Sequence, residues 1–281
     1  FSTIKDVASQ NNLIMKKGLQ DNDGDKKDSS NLVGRKILDS EEALDHFYLN
    51  ESAYTIFNKD KIHRPRNPEI YKAPYVLFKK GLDCADYSIR AVYTESDFLY
   101  RETINCIKGS EKDKKTLLNL CGLLNSSLFS YFNLMLGSST GIEREQIFLE
   151  ELGNYPYVYN DELVELVEKM QREEWGKNRN ELQVALNQCV MRMYGLQDNY
   201  FVDYALSIQI PMLCGTYQET KCDAKTMKKY VSILSKIWDE HFGQSNVHYK
   251  ITIYPDIKGK FAAVQVKLSF TSQIEDIFVI E

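Results

Sequence analysis

The sequence predicts an α+β fold: a mixed β-sheet with packed helices, a helical middle segment, then a small C-terminal helix with an antiparallel meander. Three observations predict it. Apolar residues alternate or run together over short stretches around Tyr75–Phe78 and Tyr87–Tyr93, the mark of strands. They recur at helical spacing between Asp113 and Leu136 and again after Asp161. The last sixty residues run as one helix, then three strand-like stretches.

The elements follow in order. The stretch Lys16–Arg35 is polar, rich in Asp, Lys, Ser and Gly, and has no apolar period, so it is expected as a flexible loop. Ser40-Glu41-Glu42 opens a short helix over 40–50. Lys72–Gly81 carries the strand Tyr75-Val76-Leu77-Phe78, and Tyr87–Tyr93 is its expected neighbour. From Asp113 to Leu136, Leu117, Leu120, Cys121, Leu124, Leu128 and Phe132 share a helical face, and Gly137–Gly141 ends the helix. Asp161–Trp175 is an acidic amphipathic helix, Asn180–Tyr194 another with Gly195 as its stop, and Asn199–Ile210 a third that ends before Pro211. The first domain is therefore drawn as 1–211 and the second as 212–281. In the second, Asp223 caps a helix bearing Met227, Val231, Leu234 and Trp238, followed by strands at 248–254, 261–270 and 274–280.

At 281 residues the chain can bury a sizeable core without staples. The six cysteines form no CxxC pair and the four histidines do not fall at ligand spacing, so no metal site is expected. Cysteines inside apolar runs read as reduced core residues of a cytoplasmic protein. No run of residues is long and apolar enough for a membrane span, and no membrane partner is expected. The first residues, Phe1-Ser2-Thr3, read as an internal start of a longer protein.

Net charge is −5, which by itself disfavours a polyanionic partner, but the charge is unevenly placed. Between Lys59 and Lys80 seven basic residues face only Asp60 and Glu69, an excess of five; between Glu150 and Glu174 eight acids face Lys169 and Arg172. His63-Arg64-Pro65-Arg66 puts two guanidinium groups on a segment that proline biases toward an extended form, suited to reaching a groove or its phosphates. A charged surface loop ahead of a strand is the plainer account of the same residues. Ser138-Ser139-Thr140-Gly141 could hold a phosphate or simply close a helix. The sequence holds no GxGxxG, GxxxxGK[ST] or GxSxG, and its paired acids sit in charge runs that read as solvated helix faces.

Read in order, Arg64-Pro65-Arg66, Tyr71–Gly81, Leu123-Leu124-Asn125-Ser126-Ser127-Leu128, the Ser138–Gly141 loop with Ile142, Tyr155-Pro156-Tyr157 and Met193-Tyr194-Gly195-Leu196 resemble the C-terminal specificity region of adenine-N6 DNA methyltransferases. These belong to restriction-modification and related phage-defence systems. The resemblance runs from Phe1 to about Leu196 and fades after Pro211. It implies a target-recognition domain that binds double-stranded DNA, with Lys61, Arg64, Arg66, Lys72, Lys79, Lys80, Ser138, Ser139 and Arg144 as the contacting residues. It also implies a separate catalytic domain of the same parent chain that binds S-adenosylmethionine, so this segment has no cofactor and no catalytic residue of its own. Asn67-Pro68-Glu69-Ile70-Tyr71 lacks the second proline of the family's catalytic motif and is not taken as one. A protein-interaction scaffold without DNA affinity is the alternative reading.

Overall fold

The computed structural model describes residues 2–22, 24–82, 87–140, 145–172, 178–196, 200–213, 224–242, 247–255, 262–269 and 278–280. It is an α+β protein that divides into two compact units, Phe1–Thr216 and Tyr217–Glu281.

The first unit opens with helix α1 (Ile4–Gln10), whose N-cap Thr3 and third residue Asp6 form a reciprocal capping box. Four strands make its main sheet: β1 (Ile14–Lys17), β2 (Tyr75–Lys79), β3 (Ala91–Thr94) and β4 (Ile104–Lys108). Their spatial order is β3-β2-β4-β1, antiparallel throughout, with Val92 opposite Leu77 and Asn105 opposite Lys17. Successive side chains of a strand point to opposite faces, and here both faces are covered. Val76, Phe78, Ala91 and Ile107 pack with the helices, while Tyr75, Leu77, Val92 and Cys106 pack under a second, three-stranded sheet formed by Lys36–Leu38, Tyr54–Ile56 and Leu99–Tyr100. That is why Tyr75–Phe78 reads as a continuous apolar run instead of an alternating one.

The helical layer is α2 (Lys114–Leu124), α3 (Ser127–Leu136), α4 (Asp161–Arg172), α5 (Asn178–Met193) and α6 (Tyr200–Leu213). Helix α2 meets α4 closely at Gly122, where an added Cβ would come within 2.8 Å of Leu163 and Val167 side-chain atoms. In the second unit α7 (Ala224–Phe242) packs Met227 and Val231 against Tyr249 and Ile251 of β5 (His248–Pro255). Strand β6 (Ala262–Ser269) pairs antiparallel with β5, and β7 (Phe278–Ile280) pairs with its other edge.

Several expectations change. Residues 16–35 are not a flexible loop: Leu19 and Leu32 are buried, Gln20 bridges Arg64, Lys27 pairs with Ile62, and the Ser29 hydroxyl donates to the Lys59 carbonyl at 2.9 Å. The ordering comes from contacts with residues 57–66 and 100–102, beyond any local window. Residues 40–50 form one 3₁₀ turn, Glu41–Ala43, and a tight hairpin, because Ser40 caps the turn and Ala43 and Leu44 are drawn into the core. The single helix expected over 113–136 is two. Asn125 bonds back to the Cys121 carbonyl and Ser126 caps α3 by accepting from the Phe129 N–H, the competition with the helix ladder expected of such side chains. Helix α6 does not stop before Pro211 but includes it in its last turn. The burial of Val202, Ala205 and Ile210 outweighs the one backbone bond that proline forfeits there. The C-terminal strands are not a simple meander. β7 runs parallel to β5, which takes the centre because it carries the buried residues Tyr249, Ile251 and Thr252. Asp223 and Arg144 lie outside the described residues.

Candidate nucleic-acid interface

Several cations of the first unit are neutralised where they stand. Lys59 lies 2.5 Å from Asp21, Lys72 2.8 Å from Glu69, Arg101 2.6 Å from Asp39, Lys114 2.7 Å from Glu95, Lys115 3.0 Å from Asp161 and Arg192 2.7 Å from Glu162. Among the described residues, Lys5, Lys16, Lys17, Arg66, Lys79 and Lys80 have no acid at ion-pair distance. These unpaired cations come from three distant stretches of sequence, and the fold gathers them.

The meeting place is a cleft of about 470 Å³ lined by Lys5, Lys16, Lys17, Arg66, Glu150 and Asn154. Lys17 ends β1, across β4 from the end of β2, where Lys79 and Lys80 leave the sheet. It is half-buried, its ammonium 5.9 Å from the centroid of the Phe148 ring. Burial lowers its proton affinity first, then the charges of Lys80 and Arg66, while Glu150 and Glu102 act in the opposite direction. Arg66 is also half-buried. Its backbone sits in the left-handed region at φ 66°, and its Nε donates to the Gly18 carbonyl at 3.1 Å, which fixes the guanidinium by one edge. Gly18 has no room for a side chain, because a Cβ there would lie 2.2 Å from the Tyr100 carbonyl oxygen.

The expected contact residues therefore divide. Arg66 and Lys80 belong to the cation cluster and Lys79 stands beside it at the end of β2. Lys61 and Arg64 are exposed on the adjoining segment, where Arg64 bridges Gln20 through its backbone. Lys72 is occupied by Glu69 and stands apart. The Ser138 hydroxyl and backbone N–H both donate to the Glu151 carboxylate. Ser139 is buried; its hydroxyl donates to the Gln146 carbonyl at 2.7 Å and accepts from the Gln146 N–H at 2.9 Å, so the pair staples a loop. Lys5, Lys16 and Lys17 were not foreseen. The only local signal is Leu13-Ile14-Met15 running directly into Lys16-Lys17-Gly18, a strand end with two cations on opposite faces.

Among the described residues that line the cleft there is no Ser, Thr, Cys or His. Burial pushes the Cys106 and Cys121 thiols up to about 12, so both are inert core groups. Among the described residues no cluster of His, Cys, Asp or Glu could hold a metal ion, and no helix is long and apolar enough to cross a membrane. What the arrangement can do is hold anions: half-buried, mutually repelling cations are stabilised by any negative group that enters.

No family model matches the chain, and no curated protein matches it. Among solved structures it is similar to the Type IIL restriction-modification enzyme MmeI, in the structure of that enzyme in complex with DNA. The likeness has a TM-score of 0.35 and 13% identity, and covers 51% of this chain and 22% of that one.

Proposed function

We propose that the Phe1–Thr216 unit is a target-recognition domain that grips double-stranded DNA for an S-adenosylmethionine-dependent adenine-N6 DNA methyltransferase of a restriction-modification or phage-defence system. Methyl transfer is the work of a separate catalytic domain of the same parent chain. The observation that carries the DNA contact is the convergence of Lys5, Lys16, Lys17 and Arg66, none of them paired with an acid, on a single cleft where Lys17 also feels the charge of Lys80. The order of motifs from Arg64 to Leu196 supplies the family. Lys17, Lys80 and their neighbours hold backbone phosphates, and Arg66, Arg64 and Lys61 approach the groove. A scaffold reading would need a free acidic face, but Asp161, Glu162 and Glu168 are already paired with Lys115, Arg192 and Arg172.

The test is a mobility-shift titration of the chain with random-sequence duplex at low salt, followed by selection of bound sequences from a random pool. The reading expects salt-sensitive binding and an enriched motif. Absence of any shift at low salt would sink it.

A further inference from the structure

A second recess on the first unit, of about 380 Å³, is lined by amides and hydroxyls instead of lysines. Asn125 forms its floor. Its Oδ1 accepts from the Ala91 N–H at 3.1 Å, and its Nδ2 donates to the Ala91 and Cys121 carbonyls at 2.8 and 2.9 Å. Those backbone partners fix the amide, so the His46 Nδ1 facing the same Oδ1 at 2.8 Å carries a hydrogen, and its Nε2 lies 3.0 Å from the Ser88 hydroxyl.

Gln183 and Asn187 stand one turn apart on α5 and both line the recess. Asn187 Oδ1 accepts from the backbone N–H of Ser127 at 3.0 Å and from Gln183 Nε2 at 3.3 Å. Gln183 Nε2 also donates to the backbone carbonyl of Asn125 at 3.1 Å. Each amide is thus oriented by a backbone group that only one of its ends can satisfy. The ends left over are an acceptor, Gln183 Oε1, and a donor, Asn187 Nδ2, neither with a partner among the described residues.

A preset acceptor beside a preset donor complements a ligand edge with an amino group next to a ring nitrogen. Adenine presents such an edge at N6 and N7, and cytosine at its exocyclic amine and ring nitrogen; a base with a carbonyl in the amine's place sets oxygen against Gln183 Oε1. The recess has the volume of a small-ligand site and an apolar wall at Leu206 for a ring face. We propose that this recess binds an amino-substituted nucleobase, either as a free nucleoside or as an unpaired base of a nucleic acid. The inference stands on the recess alone and does not depend on DNA binding by the basic cleft.

The test titrates the full chain calorimetrically with adenosine, inosine, cytidine and uridine. Adenosine or cytidine should bind about tenfold or more tighter than its oxo counterpart. Asn187→Asp keeps the acceptor that holds Ser127 but turns the free donor into an acceptor, and should abolish that preference. Asn180→Trp, at an exposed lining position, should block binding without touching either amide, and melting curves confirm that both variants fold. A duplex with one bulged adenine, compared with its fully paired form, separates the sources. Displacement of the bulged duplex by adenosine assigns an unpaired nucleic-acid base, and adenosine binding with equal affinity for the two duplexes assigns a free nucleoside. Equal binding of amino and oxo nucleosides, no nucleoside binding, or an unchanged preference in Asn187→Asp would each overturn the proposal.

Discussion

Replacing Lys17 by Gln removes the cation at the centre of the cleft while keeping a polar side chain at its place on β1. If Lys5, Lys16, Lys17, Lys79 and Lys80 each hold a phosphate, log Kd plotted against log salt has a slope of magnitude roughly 4.5, at about 0.9 per neutralised phosphate. Affinity then falls about 500-fold between about 50 and about 200 mM salt. Lys17→Gln brings the magnitude to roughly 3.6, and the same salt range costs about 150-fold. The assay is fluorescence anisotropy of a labelled random-sequence duplex across that range. Lys115→Gln is the control: Lys115 is bound to Asp161, 3.0 Å away, and its loss should leave the slope unchanged. Equal slopes for native chain and Lys17→Gln, or an equal drop in Lys115→Gln, would refute the argument that unpaired cations mark the contact surface.

Asn125→Ala strips bonds from the Ala91 N–H and the Cys121 carbonyl inside the core. It should cost about 3 kcal/mol and lower Tm in calorimetry by roughly 6 to 12 °C for a unit of this size. Gly18→Ala forces a Cβ to 2.2 Å from the Tyr100 carbonyl oxygen and shifts the acceptor of Arg66. Both thermal stability and duplex affinity should fall, where a purely structural role for Gly18 would spare the affinity of the folded fraction. Burial alone would raise the Asp21 carboxyl, but hydrogen bonds from Lys59 and Arg101 outweigh it and hold it below the ordinary range. Its contribution is therefore full above the unfolded value near about 3.9 and lost as pH falls through the folded one, so Asp21→Asn should flatten the acid limb of a stability-against-pH curve. Arg66→Gly relieves a left-handed backbone and removes the guanidinium together. Tm should hold within a few degrees while duplex affinity drops, and a large loss of stability would show that Arg66 serves the fold instead.

The parts of the fold legible in the sequence are those whose apolar pattern is local. Tyr75–Phe78 and its partner strand could be read from their own residues, as could α4, α5 and the Gly195 stop. The break at Asn125-Ser126 could not, because Leu117–Leu124 and Leu128–Phe132 keep one helical period across it and only the backbone partners of Asn125, on a distant strand, decide the matter. The ordering of 16–35 failed to show for a related reason: Leu19 and Leu32 are isolated apolar residues in a polar stretch, and their burial is supplied by segments twenty or more positions away. At the candidate interface Arg66 and Lys80 were readable from the charge excess alone. Which basic residues are spent on internal ion pairs was not, since Lys59 and Lys72 look no different from Lys80 until Asp21 and Glu69 are placed beside them.

Backbone conformation ties the two candidate sites together. Four described residues other than glycine hold positive φ: Asn12, Phe47, Arg66 and Tyr87. Asn12 follows the C-terminal end of α1, where asparagine takes this conformation at little cost. The other three are large residues for which it is an outlier. Arg66 lines the basic cleft, Phe47 follows His46, and Tyr87 precedes Ser88, the pair that meets on the wall of the amide recess. Phe47 and Tyr87 are buried, so packing holds both in place. Strain of this kind costs about 1–3 kcal/mol a residue, and it persists only where surrounding structure over-determines it. At Arg66 the strained residue is one whose guanidinium lines the basic cleft, and at Phe47 and Tyr87 it is a core side chain whose packing sets the backbone that carries His46 and Ser88.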